Sequence, residues 1–323
     1  MNYLDSENIP CINLSHLQED SPEYNAAILK IKSSCLNPGF FCLENLSPDT
    51  EKMIDVTANH MEYFFSMEED NPVKQDINVT RKSNTYGWMP MFQEPAYEPG
   101  TIAHLESFDF GRSEKEIESE NFTKNQWPNI IDFRKDIRSI WSEYTNVGML
   151  TLKAISKSLN LPVNFLAESC NTQDLSTMRL LNYPAVDPSA IDKNNVGISA
   201  HTDFECITLI SQTAPGLELL GTNGDWYKAS SDNKKIIVII GKMLEIWTNG
   251  LIQATRHRVH NREWQRYSMV LFFGVNDEII IKPLREFLKK DQPSKYTPIT
   301  QREHLKNELS MAEKNRDEIA KKS

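Results

Sequence analysis

Gly197-Ile198-Ser199-Ala200-His201-Thr202-Asp203 sets a histidine two residues before an aspartate at the end of a strand-like run. On an extended chain side chains alternate between faces, so His201 and Asp203 share one face and can reach one metal ion. A bare His-x-Asp pair is weak evidence, because motif matches carry a high false-positive risk, and a surface or helix-capping pair reads the same. The signal strengthens downstream. His257 stands in Thr255-Arg256-His257-Arg258-Val259, and Arg266-Tyr267-Ser268 again puts two polar side chains on one strand face. Two imidazoles and one carboxylate leave half of an octahedral metal open, an arrangement diagnostic of non-haem Fe(II) sites that activate oxygen.

Outward from this stretch, the chain from Leu175 consists of short apolar or β-branched runs separated by turn residues, the texture of an all-β barrel or jelly roll. Ile236 to Ile240 reads as a strand buried on both faces, and Tyr267 to Phe273 as another. Asn249-Gly250 tolerates positive φ, which predicts a tight hairpin between Glu245-Ile246-Trp247 and Leu251-Ile252-Gln253. Nearer the N-terminus, residues 9–14 and 39–44 read as strands and 22–35 as a helix. A further helix opens at Ser47-Pro48, with proline in its first turn. Trp127-Pro128 opens the longest helical stripe, marked by Ile130, Ile131, Phe133, Ile137, Ile140, Trp141, Tyr144 and Val147 and running to Asn160. The expected fold is mainly β with flanking helices around a double-stranded β-helix, a cupin-like jelly roll. One oxygenase domain is expected over residues 1–323: an α/β region at 1–125, a long helical segment at 126–170, the core with the metal site at 171–290 and a helical tail at 291–323. That charged tail reads as a solvated helix that could cover the mouth of the site.

A net charge of −10 and a pI near 5.3 are the opposite of a nucleic-acid footprint, and no apolar run is long enough to span a bilayer. Five irregularly spaced cysteines form no zinc pattern and no disulfide framework, so a reducing, cytoplasmic setting and a monomer are expected.

Several further stretches complete a pattern: Arg179-Leu180-Leu181-Asn182-Tyr183-Pro184, Pro215-Gly216-Leu217-Glu218-Leu219, Gly224-Asp225-Trp226, Gly241-Lys242-Met243-Leu244 and Trp247-Thr248-Asn249-Gly250. With the histidine, aspartate and arginine motifs, they resemble the Fe(II)/2-oxoglutarate-dependent dioxygenases of the isopenicillin N synthase-like superfamily. Ile9-Pro10-Cys11-Ile12-Asn13-Leu14 and Gly39-Phe40-Phe41 are similar to that superfamily's opening strands. The resemblance implies Fe(II) held by His201, Asp203 and His257, with 2-oxoglutarate and O2 as cosubstrates and ascorbate as an accessory reductant. It implies that Arg266 and Ser268 anchor the far carboxylate of 2-oxoglutarate, with Tyr183 as a further donor. The metal, Asp203, the cosubstrate dianion and Arg266 then sum to neutrality, which matters because an unpaired buried charge is costly. It further implies oxidation of a small molecule through an Fe(IV)-oxo species: hydroxylation, desaturation or cyclisation. One departure is Leu181, where many plant relatives carry an asparagine.

Arg179, Arg81, Trp88, Phe92, Tyr97, Phe204 and Phe273 are the candidate substrate contacts, and the two arginines suggest an anionic substrate. Each has a structural alternative: the aromatics as packing, Arg179 as a surface residue. His16, His60, His104, His260 and His304 lie outside the motif and read as structural. Two rival functions remain. An oxidase of the same fold, like isopenicillin N synthase, would use no 2-oxoglutarate, and a silent metal- or ligand-binding jelly roll would turn nothing over. A hydrolytic zinc enzyme is a third possibility, disfavoured by the anion-binding strand.

Overall fold

Strand parity organises the molecule. The computed structural model describes residues 3–19, 21–81, 86–95, 97–112, 123–187, 195–289 and 293–320. Among them, one sheet has eight strands in the order β2 (Cys11–Asn13), β3 (Phe40–Glu44), β13 (Ile236–Ile240), β10 (Ile207–Gln212), β15 (Arg266–Phe273), β7 (Thr177–Tyr183), β6 (Glu106–Phe110) and β4 (Trp88–Met89). A second sheet runs β1 (Tyr3–Leu4), β12 (Trp226–Lys228), β11 (Leu217–Leu220), β14 (His257–Val259) and β9 (Ile198–His201). Two ribbons complete the strands, β5 (Ile102–Ala103) with β8 (Asn195–Val196) and β16 (Ile280–Ile281) with β17 (Ile299–Thr300).

In β13, Ile236, Val238 and Ile240 join the cluster under the helices, while Ile237 and Ile239 join the cluster between the sheets. Neighbouring β3 divides in the same way, with Phe41 and Leu43 outward and Phe40 and Cys42 inward. A strand buried on both faces must be apolar throughout, which is why these runs show no polar alternation. The result is the double-stranded β-helix expected from the sequence, with strands from the N-terminal region hydrogen-bonded into its larger sheet.

Helices α1 (Tyr24–Leu36), α2 (Pro48–Phe65), the short α3 (Pro72–Gln75), α4 (Phe133–Ser158) and α5 (Phe165–Ser169) precede the core strands. Ser47 caps α2 by accepting from the Thr50 N–H at 3.1 Å. Helix α4 starts later than the Trp127-Pro128 signal suggests. Asp132 adopts a left-handed φ of 60°, and Ile131, expected on the buried stripe, is 87 % exposed. From Phe133 on, the stripe holds: Ile137, Ile140, Trp141, Tyr144 and Val147 are buried against the large sheet.

The Asn249-Gly250 signal has a different outcome from the one expected. The preceding residues form helix α6 (Lys242–Trp247), and Asn249 (φ 51°) and Gly250 (φ 76°) end it in the left-handed conformation. The dipeptide marks positive φ correctly; a helix stop and a hairpin need the same residues. The tail forms α7 (Gln301–Ala320), fastened at its start by Gln301, whose Oε1 accepts the Val275 N–H at 2.6 Å. Residues 321–323 of the expected tail, and 82–85, 96 and 113–122 of the middle region, lie outside the described residues.

Candidate active site

The two sheets enclose a cavity of about 310 Å³, and the polar side chains of the sequence motifs converge on it. Register accounts for the convergence. His201 ends β9 and pairs directly with His257 on β14, so the two imidazoles lie side by side with ring centroids 4.3 Å apart. Asp203 follows in the turn after β9. Its Oδ1 lies 3.7 Å from His201 Nε2 and 3.6 Å from His257 Nε2. One ligand atom from each of the three residues falls within a sphere of mutual distances no greater than 4.8 Å.

The surroundings prepare these groups for a divalent ion. His201 Nδ1 lies 2.8 Å from the Ser199 carbonyl and His257 Nδ1 lies 3.1 Å from the Thr255 carbonyl, so both Nδ1–H groups donate to backbone and both Nε2 lone pairs face the cluster. Burial, and after it the neighbouring His257, holds the His201 imidazole well below its usual pKa, leaving it neutral as a ligand must be. The other carboxylate oxygen of Asp203 accepts from the Thr208 hydroxyl, which fixes Oδ1 toward the histidines. Removing that hydroxyl frees the carboxylate to rotate. Thr208→Val is therefore expected to weaken Fe(II) binding by roughly 10- to 100-fold, as outer partners of metal ligands usually do. Metal titration checks this, with the melting temperature of the metal-free protein nearly unchanged.

Across the cavity, β15 alternates. Arg266, Ser268, Val270 and Phe272 face inward, while Met269, Leu271 and Phe273 pack under the helices. Arg266 is 2 % exposed. Its Nε donates to Gln212 Oε1 at 2.8 Å and its Nη2 to Ser268 Oγ at 3.4 Å, and the guanidinium lies 4.5 Å over the Tyr183 ring. Gln212 is itself turned by donating to the Ser230 carbonyl at 2.7 Å. Arg266 Nη1 is buried with no hydrogen-bond partner, and no carboxylate among the described residues pairs with this guanidinium. A buried donor left open on a permanent cation fits an anionic group supplied from outside the chain.

The substrate candidates separate. Arg179, Tyr97 and Phe204 line the cavity, and Tyr97 stacks on His201 with centroids 4.4 Å apart. Arg179 does not offer a free positive charge, however. Its Nε and Nη2 donate to Asp109 at 3.0 and 2.7 Å, and Nη1 donates to Glu94 at 2.7 Å. This corrects the suggestion of an anionic substrate, because the arginine is already held by two carboxylates. Arg81 is exposed and does not line the cavity. Trp88 is buried elsewhere, donating Nε1–H to Glu106 at 2.6 Å, and Phe92 stacks on His104 away from the cavity.

Phe273 is fully buried against α4, where an added Cβ at Gly148 would come within 2.2 Å of its ring. Phe273→Ala is accordingly expected to cost about 3–5 kcal/mol of stability, read by denaturant unfolding, while the KM for 2-oxoglutarate stays unchanged. Parity with Arg266 identifies Phe272 as the inward ring, a residue that sequence reasoning assigned to packing. Glu205, Asp109 and Tyr86 also line the cavity without a motif to mark them. Burial first, and the Asp203 carboxylate second, push the Glu205 carboxyl up to about 8. Helix α7 contributes Arg302, Leu305 and Leu309 to the mouth, so the tail does cover it. The remaining histidines are structural, as expected: His60 pairs with Asp136 at 2.9 Å and His260 with Glu218 at 3.1 Å. Arg258 also pairs with Glu218 and stacks 3.8 Å over Trp226.

A jelly roll with two histidines and one carboxylate at its open end, and an unpaired arginine opposite, defines the class of mononuclear non-haem iron oxygenases. The comparisons agree. Residues 176–275 match the model of the 2OG-Fe(II) oxygenase superfamily, and residues 9–130 match that of the non-haem dioxygenase in morphine synthesis N-terminal region. A 2-oxoglutarate-Fe(II) type oxidoreductase, ppzD, from Metarhizium rileyi is 29 % identical over 79 % of this chain and 77 % of its own length. Proline hydroxylase buaE from Petromyces alliaceus is 31 % identical over 65 % of this chain and 70 % of its own.

Among solved structures, a full-length Neurospora crassa enzyme in complex with alpha-KG superposes with a TM-score of 0.80 at 23 % identity, covering 94 % of this chain and 96 % of that one. A 2OG-Fe(II) oxygenase family protein from Caulobacter crescentus gives 0.80 at 25 %, covering 94 % and 99 %. The chain belongs to the 2OG-Fe(II) oxygenase superfamily. It is a 2-oxoglutarate-dependent dioxygenase acting on small molecules, with Fe(II), 2-oxoglutarate and O2 as its cofactor and cosubstrates. None of its described helices is long and apolar enough to cross a membrane.

Proposed function

We propose that Arg266, Ser268 and Tyr183 hold the far carboxylate of 2-oxoglutarate, that His201, Asp203 and His257 ligate the iron, and that the substrate occupies the outer cavity between Tyr97, Phe204, Phe272 and α7. The observation that carries this reading is the open Nη1 of a guanidinium buried on the strand facing the histidines. When bound, the iron and 2-oxoglutarate supply oxygen activation and oxidative decarboxylation to succinate and carbon dioxide. The chain supplies placement. Arg266 and Ser268 set the cosubstrate's depth, Thr208 and the backbone carbonyls orient the ligands, and the aromatic walls and α7 exclude water around the substrate.

Hydroxylation is the outcome we favour, because one relative above 30 % identity is named a hydroxylase. Residues 1–323 act on this reading as one oxygenase unit, the N-terminal strands completing the larger sheet. A cytoplasmic monomer without nucleic-acid or membrane partners agrees with the net charge of −10. The decisive measurement couples oxygen uptake to succinate formation. Matched succinate and oxygen support the dioxygenase with a 2-oxoglutarate site at Arg266. Oxygen uptake without succinate would favour the oxidase chemistry of isopenicillin N synthase.

A further inference from the structure

We propose that the outer cavity selects a substrate carrying a protonated amine, so that the C–H bond presented to the iron belongs to a basic small molecule. This deepens the reading above and rests on it. Three independent features point the same way. First, every arginine on the outer wall is already matched: Arg179 by Asp109 and Glu94, Arg112 by Asp174, and Arg302 by Asp277 at 2.8 Å. Two carboxylates against the single Arg179 leave an excess negative charge on that wall. Second, the Glu205 side chain lines the cavity yet is only 6 % exposed. One of its oxygens accepts the Phe204 N–H at 3.0 Å, and no cationic side chain among the described residues pairs with it. A buried carboxyl without a cation is unfavourable, and a ligand that brings an N–H cation relieves it. Third, the remaining walls are aromatic. Tyr97, Phe204 and Phe272 line the space, with the Tyr86 phenol set among Asp109, Glu205 and Arg179. Ring faces attract ammonium groups, and rings beside carboxylates form a cation receptor.

An acidic substrate finds no such welcome. The one guanidinium in the cavity without a carboxylate is Arg266, which the cosubstrate takes.

The test titrates pyrrolidine, piperidine and phenethylamine, each against its N-acetyl derivative, with phenylacetate as the anionic probe. Calorimetry is run on the full chain loaded with Mn(II) and 2-oxoglutarate without oxygen. At least one amine is expected to bind about tenfold or more tighter than its acetylated counterpart, with phenylacetate weaker than both. Glu205→Gln is expected to erase most of that preference, and Phe272→Leu part of it, while 2-oxoglutarate affinity stays at the parent value in both. Equal or tighter binding of the acetylated or anionic probes, no binding of any amine, or a preference intact in both variants would overturn the proposal. Bound 2-oxoglutarate without an amine preference overturns this proposal alone. Failure of 2-oxoglutarate to bind in the same cell overturns the cosubstrate reading and this proposal with it.

Discussion

Asp203→Ala is expected to leave a folded protein that neither retains iron nor forms succinate. Asp203 is 3 % exposed and contributes the only anion among the three ligands, with Oδ1 nearly equidistant from the two Nε2 atoms. Without it, two neutral imidazoles face a doubly charged ion, and half of the open coordination sphere is no longer defined. Outer partners of metal ligands are commonly worth 10- to 100-fold, so a lost ligand is expected to cost upwards of about 10³-fold in turnover. The fold should survive, since the alanine leaves only the Thr208 hydroxyl to find water. Metal analysis of the purified variant, together with succinate formation at saturating iron, reads both halves of the expectation. Stoichiometric iron with turnover within tenfold of the parent would show that the metal lies elsewhere.

The second large effect is expected at Arg266, and it has two opposite signs. Arg266→Met removes the buried guanidinium that faces the histidines, and the KM for 2-oxoglutarate should rise by roughly 10²- to 10³-fold, the loss typical of a truncated buried charge contact. Without 2-oxoglutarate, the same change should raise the melting temperature by a few degrees, on the order of 1 kcal/mol. The reason is desolvation. Burial already pulls the Arg266 guanidinium below its usual pKa, its Nη1 has no partner, and methionine fills similar volume without a charge. Gln212 loses the Nε–H it accepts, which offsets part of the gain. Thermal melts with and without 2-oxoglutarate separate the two signs. The parent should gain stability on adding the cosubstrate and the variant should not. A variant with unchanged KM would mean that the cosubstrate carboxylate binds another group.

Much of the site was legible because it depends on strand parity and residue chemistry. His201 and Asp203 two apart, and Arg266 and Ser268 two apart, declare which side chains share a face before any fold is known. Parity also carried information that went unused: Phe272, an even step from Arg266, faces the cavity, whereas Phe273 packs against α4. The hairpin expected at Asn249-Gly250 shows the limit of local signals, since positive φ serves a helix end as readily as a strand turn. The anionic-substrate suggestion failed for a different reason. Asp109 and Glu94, which hold Arg179, lie 70 and 85 residues away in the chain. No local pattern announces that pairing.

The chain by itself determined the donor types, their order and the face each would occupy, because side-chain chemistry and the two-residue period of a strand are local properties. Only the tertiary structure decided which charges meet. Pairing of β9 with β14 sets the histidines side by side, β6 and β7 bring Asp109 to Arg179, and α7 folds back over the mouth. Electrostatic neutrality is a property of neighbours in space. It was therefore the assembled barrel that turned a cavity apparently suited to anions into one lined for a cation.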